Sequence, residues 1–130
     1  MARVKLQAAV QDSGWRDVSG GVQSGWTVSK ALLRRVGDQV FLSLTATVAA
    51  APSGGVSNVL AMPSGFQTGE YSAVGVVRVG SVVQAVGTLS SKDLLGISNT
   101  PAIAAGAIAR CEVSWMTRDT FPTTLPGTPL

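Results

Sequence analysis

From Val40 to Val48 the apolar side chains Val40, Leu42, Leu44, Ala46 and Val48 occupy every second position, with Ser43, Thr45 and Thr47 between them. A period of two is the pattern of a strand with one buried face. Upstream, the apolar and basic run from Ala31 to Val36 meets Gly37 and Asp38. A glycine followed by a small polar residue between two such runs predicts a two-residue hairpin turn. Residues 30–48 therefore read as a pair of antiparallel strands around which the rest of the chain is organised. A short helix over residues 28–36 is the competing reading, because Ala, Leu and Arg favour helix and Val28, Leu32 and Arg35 lie near helical spacing.

The remaining segments follow the same grammar. Residues 1–10 alternate Ala2, Val4, Leu6, Ala8 and Val10 against Arg3, Lys5 and Gln7, which predicts an edge strand or arm over residues 1–13. Asp12, Ser13 and Gly14 form a turn, and Trp15 and Trp26 each follow a glycine. A large ring beside a small residue fits core or rim packing, with a ligand platform as the alternative for both tryptophans. Residues 49–55 are a loop, and residues 56–62 a strand ended by Pro63, Ser64 and Gly65. Residues 73–79 and 82–89 flank Gly80 and Ser81 as a second hairpin, an echo of the first. A short apolar segment at residues 94–97 and a strong strand at 107–116 complete a domain over residues 14–116. In residues 117–130, Pro122, Pro126 and Pro129 among threonines predict an extended tail. Short strands about every ten residues, separated by turn signals, define an all-β chain: a single antiparallel β-sandwich, jelly-roll-like, with extended N- and C-terminal arms.

Composition adds an interface. Apolar residues make up 45% of the chain and charged ones only 13%, too few charges to cover a free monomer comfortably. Part of the surface is expected to be buried against copies of itself or another protein. The edge pattern of Val4 and Leu6 and the tail's Phe121, Leu125 and Leu130 are the candidate docking residues. The net charge of +3 is carried by scattered residues of which only Arg34 and Arg35 are adjacent, and aromatics are 5%, so the basic stripe with stacking rings that nucleic-acid binding needs is missing. These charges read as solvated or interfacial. The apolar run at residues 101–109 is too short and too rich in Gly and Ala for membrane insertion, and no signal-peptide pattern opens the chain.

Catalytic chemistry finds little support. There is no histidine, which excludes Ser-His-Asp and Cys-His arrangements and His-based zinc sites. Cys111, the single cysteine, alternates with Ala109, Val113 and Trp115 on one face and reads as a buried thiol. The seven acids form no calcium loop; Asp38 and Asp93 sit in turns and Glu112 at an exposed strand position. No phosphate-binding glycine loop exists. No catalytic residue, cofactor or metal site is assigned, and the chain is read as a non-enzyme.

The succession SGWTV at residues 24–28, RRVGDQVFLSLTATV at 34–48 and VLAMPSGF at 59–66, followed by VRVGSVVQAVG at 78–87 and a strand ending in Ser114 and Trp115, resembles the C-terminal head domains of bacteriophage tail fibres and minor tail proteins of siphophages. The resemblance implies a β-sandwich that forms a homotrimer on the virion surface, made in the host cytoplasm. Such heads usually follow a shaft or an anchoring domain, whereas only about ten residues precede this one, so something else is expected to attach it. The favoured expectation is a capsid decoration protein docked on phage capsid proteins through its arms. The alternative is a receptor-binding head of a tail fibre or tail tip that recognises host-surface saccharide.

Overall fold

The structure is a computed structural model that describes residues 10–130. Its strands are β1 (Arg16–Asp17), β2 (Trp26–Val36), β3 (Gln39–Val48), β4 (Val56–Ala61), β5 (Ser72–Val79), β6 (Val82–Ser91), β7 (Leu94–Ser98), β8 (Ile108–Met116) and β9 (Thr128–Pro129), with one 3-10 turn at Ser19–Gly21. The all-β, antiparallel class expected from the alternation is the class observed. The helical alternative for residues 28–36 is replaced by β2. Val40, Leu42, Leu44, Ala46 and Val48 are each 1% exposed or less, so the period-two face of β3 is the core face. Both hairpins turn as the sequence suggests, with Gly37 at φ +57° and Gly80 at φ +62° in the first of two turn positions, the left-handed region that glycine enters without a Cβ clash.

Where two facing sheets were expected, hydrogen bonds link the nine strands of the described residues into one sheet of order β4-β7-β6-β5-β8-β3-β2-β1-β9, curled into a half-barrel. The ladders shift register once in each of four strand pairs: between Val28 and Lys30, Asn58 and Leu60, Ala73 and Gly75, and Gly87 and Ser91. An extra residue on one strand bends it and increases its twist, which is how one sheet comes to wrap around a core. The curl brings β4 against the chain leading into β2. The Gln23 amide donates to the Val59 carbonyl at 2.8 Å, and the Trp26 indole N–H donates to Ser57 Oγ at 2.7 Å. Inside lie Leu33, Leu42, Leu44, Leu60, Met62, Phe66, Leu95 and Ile97, each at most 2% exposed. Burying such side chains contributes about 1.5–3 kcal/mol apiece, the main favourable contribution to folding.

Residues 117–130 are extended, as expected, but lie along the body. Asp119 Oδ2 accepts from the Gly65 and Gln67 amides at 3.0 and 3.1 Å, which fixes the Pro63–Phe66 turn. Gly65, at φ +92°, faces Pro122 so closely that a Cβ would sit 2.8 Å from the proline ring. Arg16 donates to the Pro126 and Gly127 carbonyls, and β9 pairs with β1. Arg35, expected at the surface, is 2% exposed: it donates to the Gly37, Gly65 and Asp119 carbonyls at 2.7, 2.6 and 2.8 Å. An always-charged guanidinium tolerates burial when its fork is filled in this way.

Candidate functional site

Because residues opposite one another in a ladder point to the same side, the register lays out the outer face of β2, β3 and β8 as rows. Arg34, Phe41 and Ser114 form one; Leu32, Ser43 and Glu112 the next; Lys30, Thr45 and Arg110 the third. The inner face takes the large apolar residues, so Leu32 and Phe41 stand among polar neighbours, both half-buried. Trp15, just before β1, and Leu130, whose amide donates to the Trp15 carbonyl at 3.2 Å, lean against them. Together Trp15, Leu32, Phe41, Ser43, Glu112, Ser114 and Leu130 line a shallow groove of about 420 Å³. On its other side Trp15 also borders a groove of about 360 Å³ with Arg34, Val36, Gln39 and Phe41.

The polar groups of this face are partly fixed. Ser43 Oγ donates to Glu112 Oε1 at 3.3 Å. Arg34 donates to both oxygens of Asp12, at 2.7 and 3.1 Å. That pair, with the Gly14 amide, holds the Asp12 carboxyl down at about 2. A third groove, of about 360 Å³, is lined by Lys30, Thr45, Arg110 and Glu112 and meets the first at Glu112. Cys111 faces inward, where burial first and the Glu112 charge second push its thiol up to about 11. A protonated, enclosed thiol is not a nucleophile. Among the described residues no three His, Cys, Asp or Glu side chains gather as a metal site, and no helix is long and apolar enough to cross a membrane.

The candidate residues are thus dispersed. Trp26 is 5% exposed and pinned to Ser57, so its ring is part of the core and closed to a ligand. Trp15 is half-buried at the rim of two grooves. Phe121 and Leu125 are half-buried against the body, while Leu130 is 79% exposed and joins Trp15. Val4 and Leu6 lie outside the described residues. Sequence reasoning missed Phe41, although an apolar ring between Val40 and Leu42 on an alternating strand must point to the polar side. In comparisons with known proteins, the chain matches no family model and no curated protein.

Proposed function

We propose that the chain is a non-catalytic binding module of a bacteriophage virion surface, assembled as a homotrimer, whose outer β2-β3-β8 face makes the functional contact. The phage assignment rests on the resemblance of residues 24–28, 34–48, 59–66 and 78–87 and of the strand ending in Ser114 and Trp115 to tail-fibre heads. The observation that carries the binding role is the groove in which Trp15 and Phe41 stand beside Ser43, Glu112 and Ser114. Aromatic faces next to hydroxyls and a carboxylate suit a saccharide, whose C–H faces pack on rings while its hydroxyls take hydrogen bonds. This favours the receptor-binding head of a tail fibre or tail tip, recognising host-surface saccharide. The C-terminal segment is engaged by Arg16, Arg35 and Gly65, which leaves it less free to act as the arm a capsid decoration protein would dock with.

Capsid decoration is the second reading, favoured by the exposed Val76 and Val83 on β5 and β6, 65% and 56% accessible, which offer apolar surface to phage capsid neighbours. Imaging labelled protein in purified particles separates the two: signal at one tail end supports the receptor-binding head, and signal over the whole shell supports decoration. Light scattering coupled to size exclusion is expected to give a trimer at micromolar concentration. A monomer there would remove the oligomeric part of the proposal.

A further inference from the structure

Lys30 of β2, Thr45 of β3, Arg110 of β8, Arg78 of β5 and Val83 of β6 stand opposite one another in one continuous row across the outer face. Lys30, Arg110 and Arg78 are all exposed. Among the described residues none of them forms an ion pair; the two that exist use Arg34 and Arg35. Arg78 and Arg110 are directly opposed on neighbouring strands, about 4.8 Å apart in the pairing direction, where like charges destabilise a sheet. Glu112, in the next row of the same face, is the nearest acid in this groove, but it forms no ion pair with either arginine. An anion between the two guanidiniums would offset that repulsion, since arginine binds carboxylate, sulfate and phosphate groups through paired N–H donors.

We propose that this row is a binding site for an acidic polysaccharide, with one anionic group held between Arg78 and Arg110 and a further one reached by Lys30, about two strand spacings beyond Arg110. This names the ligand class of the binding face proposed above and rests on that reading. The row runs across the open outer face with the Thr45 hydroxyl between Lys30 and Arg110, and its groove shares Glu112 with the Trp15-Phe41 groove. An extended chain with hydroxyls and regularly spaced charges can follow such a row across the strands.

The test is a titration of the purified 130-residue chain with dextran sulfate, neutral dextran and polyglutamate. Dextran sulfate is expected to bind, more weakly as salt rises, and neutral dextran to bind at least tenfold more weakly. The double variant Arg78→Gln/Arg110→Gln is expected to lose at least tenfold in affinity for dextran sulfate, and Lys30→Gln a further few-fold, with an unchanged or higher thermal midpoint because the opposed charges are gone. Absence of wild-type binding, equal binding by the variants, or polyglutamate binding as tightly as dextran sulfate would each overturn the proposal; the last would make the row a docking strip for an acidic protein. Particle imaging judges the virion assignment separately. Row-dependent binding by a chain missing from virions would sink that assignment and leave the acidic-polysaccharide site standing.

Discussion

The guanidinium carbon of Arg35 lies 5.2 Å from the centroid of the Phe121 ring, so the C-terminal segment is stacked on a buried cation of the central hairpin. That contact and the Arg35 bond to the Asp119 carbonyl couple the C-terminal segment to the core. A cation on a ring contributes about 0.5–2 kcal/mol, and each buried carbonyl left without its donor costs about 1–3 kcal/mol. Arg35→Met is therefore expected to destabilise by at least about 3 kcal/mol and Phe121→Ala by about 1–3 kcal/mol. Removing residues 121–130 should lower the thermal midpoint by several degrees, since each kcal/mol shifts it by about 4 °C in a domain of between about 100 and 150 residues. An unchanged midpoint would show that the segment merely rests on the surface.

The face assignment of β3 is tested by two neighbours. Leu44 is 1% exposed in the core, while Thr45 points outward between Lys30 and Arg110. Leu44→Ala is expected to cost roughly 2–5 kcal/mol and Thr45→Ala under about 0.5 kcal/mol, read from urea titrations. Equal costs would mean that both faces are buried.

The hairpins, the turns at Gly37 and Gly80 and the core face of β3 were legible because each is a local pattern of two to ten residues. The curl was not. It depends on four register shifts: Gly75 and Gly87, glycines inside strands, mark two of them, while the Val28/Lys30 and Asn58/Leu60 shifts carry no such residue. The burial of Arg35 was hidden for another reason: two of its three carbonyl partners are 30 and 84 residues away, and every residue has a carbonyl. For the outer face, the residues were visible but their grouping was not. Lys30, Arg78 and Arg110 look scattered along the chain and become one row only when the register joins β2, β3, β8 and β5.

Cys111 gives a probe of the closed inner face. Its thiol, raised to about 11 by burial and by Glu112, should hold little thiolate at pH 8. Alkylation of the native protein is expected to run roughly a hundredfold slower than in denaturant, because the thiolate is the reacting species. Equal rates in the two conditions would place Cys111 in contact with solvent and contradict its position opposite Leu44.

The Asp12 and Arg34 pair sets a signature in acid. Asp12 Oδ2 lies 2.7 Å from Arg34 Nη2, and Oδ1 accepts from Arg34 Nε and from the Gly14 amide, so its carboxyl is held down from the ordinary 3.8 to about 2. A carboxyl lowered in the folded state contributes stability that is complete above its unfolded value and is lost as pH falls through the folded one. The contribution should therefore fade between about pH 4 and pH 2. Both side chains are open to solvent, so the effect is small and weakens with salt. Thermal midpoints of wild type and Asp12→Asn, measured at low salt from pH 7 to pH 1.5, are expected to differ by a constant amount above pH 5 and to converge as pH approaches 2. Curves that stay parallel over the whole range would mean that the bidentate contact does not persist in solution and that the Trp15-Arg34 side of the groove has no charged clasp.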